Sequence, residues 1–119
     1  MENLCMYICC RFTMTNFNPI TKILDKNRLT GSNFVDWKRN LMLVITTENI
    51  AYVLKCDTPD LALQNGSQDQ KDFFEKWHEY DEMTKCHMLA SITNMLQKQC
   101  EGMATASCIM LHVQEMFGE

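Results

Sequence analysis

The cysteine and histidine side chains come nearest to forming a chemical site in this sequence. Cys108 and His112 lie four residues apart, which places both on one face of a helix and offers a metal ion two ligands. A structural zinc site needs four converging ligands, and the sequence contains no Cys-x-x-Cys pair that would supply the others. We therefore expect neither a bound metal nor a cofactor.

A nucleophilic pair is the second chemistry to consider. Cys86 and His87 are adjacent, but neighbouring residues of a helix point about 100° apart, so their side chains diverge. Asp81 is the nearest acid that would orient the histidine, yet a triad on one helix lacks convergence. His78, next to Trp77, is more typical of a half-exposed helix residue than of a general base. The sequence predicts no enzyme, no catalytic residue and no small-molecule substrate.

Cysteine usage also bears on the compartment. The chain has seven cysteines, an odd number, which favours free thiols in a reducing compartment. The apolar segment 4–10 is far shorter than the roughly 20 residues of a membrane span, and Glu2 precedes it instead of a basic segment. We predict a cytoplasmic protein without a membrane partner. A reversible lipid on Cys9-Cys10 is the alternative to an inert leader.

Charge and composition limit the partners. The net charge is −4, and the longest basic stretch is Lys38-Arg39. A nucleic-acid-binding domain usually carries a basic face, so this balance argues against RNA as a partner of the chain alone. The 46% hydrophobic content of 119 residues suits a single globular domain.

The central element is a tight turn that leads into an amphipathic helix of about residues 34–46. Gly31 suits a positive φ, and Ser32 or Asn33 suits the N-cap. Lys38, Arg39 and Asn40 lie off the apolar stripe. We place Trp37, the largest group on that stripe, at the centre of the core. The stripe consists of Phe34, Trp37, Leu41, Val44 and Ile45.

Four further helices are expected around it. One begins at Asn18-Pro19, and a short one carries Ile50 to Leu54. After a loop over 55–67, a long helix begins at Ser67 or Asp69 and continues past Leu96, with an unresolved alternative of a break near Cys86-His87. Its charged face is predicted to be solvated, with ion pairs four residues apart: Lys71–Glu75, Asp72–Lys76 and Asp81–Lys85.

The last helix is capped by Thr105 and ends at Gly118 in a left-handed turn. Its apolar stripe consists of Ile109, Val113, Met116 and Phe117. The predicted fold is all-α, a compact bundle of about five helices, one of them long.

Several segments match a known family. The main motif is a Leu-x-Gly-x-Asn-aromatic turn followed by a Trp three residues after the aromatic residue. Here these positions are Leu29, Gly31, Asn33, Phe34 and Trp37, with Phe34 where Tyr is more usual. Later matches are Ile50-Ala-Tyr-Val-Leu54, the region of Trp77 and Asp81-Glu-Met83, Leu89-Ala-Ser91 and Met116-Phe-Gly-Glu119. Over residues 15–119 the chain closely resembles the N-terminal region of plant copia-type retrotransposon Gag proteins.

The resemblance implies an all-helical, capsid-type N-terminal region, from a family that assembles particles around the element's RNA. That family continues into further helices and usually a Cys-x-x-Cys-x4-His-x4-Cys zinc knuckle, which this sequence lacks. We expect a leader over 1–14, unstructured or weakly ordered, and a C-terminally truncated Gag domain over 15–119. The family signature and core are Leu29, Gly31, Asn33, Phe34, Trp37, Leu41 and Trp77.

The resemblance implies self-association, with itself or related Gag proteins as the partner. We expect the C-terminal stripe (Ile109, Val113, Met116 and Phe117) to make the contact, since later helices would be needed to cover it. Two alternatives stay open. One is a host-retained interaction module or assembly inhibitor. The other is a nucleic-acid-binding protein by family association.

Overall fold

The computed structural model describes residues 22–118, and the regular structure in that range is helical. The all-α fold class is therefore confirmed, and the one sheet-type pairing in that range is an isolated bridge between Leu29 and Ile92. The predicted helix start at Asn18-Pro19 and the leader over 1–14 lie outside the described residues. The helices are α1 (Lys22–Lys26), α2 (Phe34–Thr47), α3 (Tyr52–Lys55), the 3-10 helix η1 (Leu61–Asn65), α4 (Gln68–Ala90), α5 (Asn94–Cys100) and α6 (Ala106–Phe117).

Helix α2 agrees closely with its prediction. Asn33 is its N-cap residue, and Asp36 lies in its first turn, where a carboxylate favours the positive end of the helix dipole. The helix ends at Thr47, and Asn49 follows with a positive φ of 63° that turns the chain towards α3. All five residues of the predicted stripe are buried: Phe34, Trp37, Leu41, Val44 and Ile45.

Helix α4 begins as predicted but ends early. Ser67 and Gln70 form a capping box at its start. The helix ends at Ala90, so neither the expected continuation past Leu96 nor a break near Cys86-His87 is correct. The reason is tertiary: the Leu29 N–H donates to the Ser91 carbonyl at 2.8 Å, and Ile92 is fully buried beside Leu29. Helix α5 follows this interruption as a separate element.

Helix α6 also begins at its predicted cap. The Thr105 hydroxyl accepts a hydrogen bond from the Cys108 N–H at 3.2 Å. At the other end Gly118 is extended, with φ −85° and ψ 161°, so the predicted left-handed turn is wrong. A Cβ at Gly118 would lie 2.9 Å from the Gln114 carbonyl oxygen and 3.1 Å from the Phe34 ring, so the close approach here requires glycine.

The three predicted ion pairs on α4 do not form. In residues 22–118, ion pairs join Asp36 to Arg39 and Glu82 to Lys85, and Glu48 contacts His87, which is charged only when protonated. Two of these have the three-residue spacing that also brings helical side chains together.

One apolar core joins the helices. It includes side chains from α1, α2, α4, α5 and α6, so each of these helices contributes to a single domain over the described residues. Trp37, Leu41 and Trp77 are fully buried, as expected of core positions.

Candidate functional site

The residues of the Leu-x-Gly-x-Asn-aromatic motif, together with Trp37, build one structural junction. Gly31 has a φ of 136°, a conformation that residues with a side chain rarely adopt. The Asn33 amide does not cap α2 directly. Its Oδ1 accepts from the Thr30 N–H at 2.9 Å, and its Nδ2 donates to the Arg28 carbonyl at 2.7 Å. Asn33 therefore closes the turn over residues 28–33, which we call the signature turn.

Trp37 connects the signature turn to α4. Its indole Nε1 donates to the Ser91 Oγ at 3.0 Å, and both side chains are buried. The Ser91 hydroxyl in turn lies 2.8 Å from the carbonyl oxygen of His87. The Leu29 N–H also donates a hydrogen bond to the Ser91 carbonyl. Together with the bond from Trp37 to the Ser91 hydroxyl, it holds the start of α2 against the end of α4.

The C-terminal end of α6 packs on the same junction. A Cβ at Gly31 would lie 3.3 Å from the Phe117 ring, and Phe117 is half-buried there. The signature residues, far apart from α6 in sequence, thus form a contact with its last turn. Their position explains why this motif combines a glycine, an asparagine and two aromatic residues: each meets a geometric demand of the junction.

The predicted C-terminal stripe is mostly part of the core. Ile109 and Val113 are fully buried, and Phe117 is half-buried, so three of its four residues face the domain itself. Met116 alone is exposed, at 44%. Helix α6 packs on α3 and α4, which already cover its apolar face. Further helices are therefore not needed to cover Ile109 and Val113, and these two side chains are not an external contact surface.

The exposed apolar side chains lie elsewhere. Leu61 belongs to η1 and Phe73 to the first turns of α4. Scattered exposed apolar residues are normal, whereas a line of them on one helix face is informative. Helix α2 exposes Val35 and Leu43, which lie off its buried stripe. The exposed set is completed by Met95 of α5 and by Leu111 and Met116 of α6.

Asp81 is a buried carboxylate with a structural task. Its Oδ1 accepts from the Ala106 N–H at 3.0 Å, which satisfies a backbone donor in the first turn of α6. Burial raises the pKa of the carboxyl, while the Ala106 hydrogen bond and the charge of Lys85 act in the opposite direction. Asp81 and Lys85 are both buried, so the prediction of a solvated face is wrong for this turn of α4.

A second polar contact joins the end of α2 to α4. Oε2 of Glu48 lies 3.0 Å from Nε2 of His87, and both side chains are largely buried. The other carboxylate oxygen, Oε1, is buried without a hydrogen-bond partner. The pair therefore stabilises the α2–α3 corner through one oxygen only.

The cysteines and histidines considered for chemistry are dispersed. Cys86 is disulfide-bonded, so the expectation of free thiols fails at this position, while Cys56, Cys100 and Cys108 are free. His112 contacts Gln99 rather than a ligand set, with 3.3 Å between Nε2 and Oε1. In the part of the chain that the structure describes, no three such side chains lie close enough to hold a metal ion.

One open groove lies between η1 and α4. It has a volume of about 420 Å³, and its lining includes Gln64, Lys71, Phe74, Glu75 and His78. Nε2 of His78 is buried without a partner and is closed off from solvent, so a molecule in the groove does not reach it. The groove thus offers a ligand only the polar groups at its exposed rim.

Comparisons with protein-family models, with curated proteins and with solved structures give no match for this chain. Across residues 22–118, no helix combines the length and the apolar character needed to cross a bilayer. The function is therefore argued from the residues themselves.

Proposed function

We propose that this protein is a Gag-like structural protein of the plant copia type, acting through self-association in the cytoplasm. The sequence resemblance over residues 15–119 supports the family. Its five signature residues share one task in the fold, which is to set the direction of α2 against α4 and α6. A capsid-type subunit needs such a rigid domain, because its contacts repeat in fixed geometry.

The sequence resemblance carries the proposal, and the exposed apolar side chains are compatible with it. Val35 of α2, Met95 of α5 and Leu111 of α6 are each more than 60% exposed. They belong to three different helices. A closed dimer needs one contact surface, whereas growth beyond a dimer needs at least two. Exposed apolar groups on separate helices leave more than one surface open to such contacts, although single exposed apolar residues are also normal on monomers.

The acidic balance supports a protein partner over RNA. With a net charge of −4, the chain lacks the excess of lysine and arginine that neutralises phosphates. We propose that another copy of the chain, or a related Gag protein, is its partner.

Sedimentation velocity over a range of protein concentrations tests the proposal. We expect a weight-average mass that rises with concentration above the 13.9 kDa of one chain and passes the mass of a dimer. A single species of monomer mass throughout the range would contradict self-association. The same runs with added RNA at low and high salt form a second arm. A salt-dependent RNA complex without protein self-association would favour the nucleic-acid-binding alternative instead.

A further inference from the structure

The turn between η1 and α4 contains a reactive dipeptide. Asn65 ends η1 and Gly66 follows it, and no other asparagine in the sequence precedes a glycine. The Asn65 side chain is exposed to solvent. A side chain on the following residue hinders the approach of its backbone nitrogen to the asparagine amide, and glycine removes this hindrance. Asn65 is therefore the asparagine of this chain that is most open to attack by the nitrogen of its neighbour.

The local structure holds this dipeptide only weakly. None of residues 61–65 is buried, so the turn opens without exposing core side chains. The Gly66 N–H donates a hydrogen bond to the Leu63 carbonyl at 3.2 Å, and this bond must break before the nitrogen attacks. The side-chain amides of Asn27 and Asn33 donate to backbone carbonyls at 2.8 and 2.7 Å. In residues 22–118 no such bond holds the amide of Asn65, so this side chain is free to turn towards Gly66.

We propose that Asn65 is a site of spontaneous deamidation, with water as the co-reactant, and that its isoaspartyl product removes the N-terminal cap of α4. The Gly66 nitrogen bonds to Cγ of Asn65, the Cγ–Nδ2 bond breaks, and Nδ2 leaves as ammonia with the proton of the Gly66 N–H. The product of this step is a cyclic succinimide. Water then opens one of its two bonds to nitrogen: breaking the bond from Cγ yields aspartate, and breaking the bond from the main-chain carbonyl carbon yields isoaspartate, whose chain continues through Cγ. Neither step oxidises or reduces an atom.

The two products act differently on α4, because the site lies directly before its N-terminus. The Ser67 N–H donates to Oε1 of Gln70 at 2.8 Å, and the Ser67 Oγ accepts from the Gln70 N–H at 3.3 Å. The Gln70 side chain fills the space that a Cβ of Gly66 would take, so the capping box fits closely against the backbone here. Isoaspartate inserts one methylene into the main chain just before Gly66 and shifts that backbone away from η1. Aspartate leaves the main chain unchanged and adds a negative charge near the positive end of the helix dipole.

Peptide mapping of the full, folded chain tests the reaction. Trypsin releases residues 56–71, in which Asn65 is the one asparagine, and residues 86–98, in which Asn94 is the one asparagine. Asn94 is the internal control, since it is also exposed but precedes Met95. After incubation at mildly alkaline pH, we expect peptide 56–71 to convert on the order of tenfold faster than peptide 86–98, and to give two isomers with the mass of an Asn-to-Asp change. Equal conversion of the two peptides, or conversion of Asn65 only in the urea-unfolded chain, overturns the proposal.

Two variants separate the chemistry from its structural effect. Asn65→Gln lengthens the side chain by one methylene, which moves the amide carbon out of reach of the ring closure, so its peptide should stay unconverted over the same incubation. Conversion of this variant at the original rate would contradict attack by the Gly66 nitrogen. Asn65→Asp carries the charge of the deamidated chain without the inserted methylene. Both changes lie outside the capping box and at an exposed position, so both variants should melt with the original protein before incubation.

Amide hydrogen exchange measures the effect on α4. The Gln70 N–H is bonded to the Ser67 Oγ, so its exchange rate reports on the cap. In the isoaspartyl form, separated by chromatography, this N–H should exchange about tenfold faster than in Asn65→Asp, because it has lost its acceptor. Equal rates in the two proteins would show that the inserted methylene leaves the cap intact, and would overturn the inferred effect on α4. None of these measurements depends on self-association, so the proposed function is tested separately.

Discussion

Removing the Asp81 carboxylate perturbs one buried hydrogen bond and little else. In Asp81→Ala the Ala106 N–H loses its acceptor at 3.0 Å and stays buried in the first turn of α6. The Thr105 hydroxyl still accepts from Cys108, so only one donor is left unsatisfied. A buried donor without a partner costs about 1–3 kcal/mol. For a domain of this size, that corresponds to a fall in melting temperature of roughly 4–12 °C.

Asp81→Asn is the matched variant, because an amide oxygen at the same position still accepts from Ala106. This variant removes the cost of burying a charge, so at pH 7 we expect it to melt at or above the temperature of the original protein. Lys85 keeps its contacts with Glu82 and with the Ala104 carbonyl in both variants.

The pH dependence gives an independent readout. Burial raises the pKa of Asp81 in the folded state, so on raising the pH the unfolded chain loses this proton first. Between the two pKa values the native state binds more protons than the unfolded state. The contribution of Asp81 to the free energy of unfolding therefore falls as the pH rises from about 3.9, the ordinary Asp value, to the raised pKa. The stability of the original protein minus that of Asp81→Asn should therefore decline across this window.

Urea unfolding of the three proteins at several pH values measures both effects. If Asp81→Asn loses as much stability at pH 7 as Asp81→Ala, the charge rather than the acceptor geometry stabilises α6. If the stability of the original protein minus that of Asp81→Asn instead rises with pH, the carboxyl pKa is lowered, not raised. Either result refutes the assignment given to Asp81.

Four other predictions follow from the same structure. Trp37→Ala removes the largest fully buried side chain of α2 and should cost about 3–5 kcal/mol in urea unfolding; coincident curves would remove Trp37 from the core. Gly31→Ala should cost about 1–3 kcal/mol, because the positive φ and the nearby Phe117 ring both oppose a Cβ. Gly102→Ala, where a Cβ meets nothing within 4 Å, is its control. Elemental analysis should find no stoichiometric zinc after purification without chelator, and one zinc per chain would contradict this. In the presence of a reducing agent, a chain that begins at Met14 should melt at the same temperature as the full chain, and a lower melting temperature would contradict this.

Local signals in the sequence predicted the ends of several helices. Ser67 followed by Gln70, and Thr105 before α6, specify N-termini through hydrogen bonds within four residues of each other. The buried stripe of α2 follows from its spacing alone. These features depend on neighbours in sequence, which is why they could be predicted before any tertiary contact was known.

The end of α4 could not be predicted in this way. Ser91 and Ile92 continue an acceptable helical pattern, and the interruption depends on Leu29, more than sixty positions earlier in the chain. Asp81 likewise looks like one more charge on a solvated helix until α6 places its first turn against it. In both cases a distant backbone N–H decides the outcome, and no local spacing reveals such a partner.

The candidate contact residues show the same limit, because a sequence pattern does not reveal which partner covers a side chain. A stripe at helical spacing indicates which face of a helix is apolar, but not whether the chain itself covers that face. The spacing of Ile109 and Val113 predicts a surface that needs a partner, and α3 and α4 supply that partner within the domain.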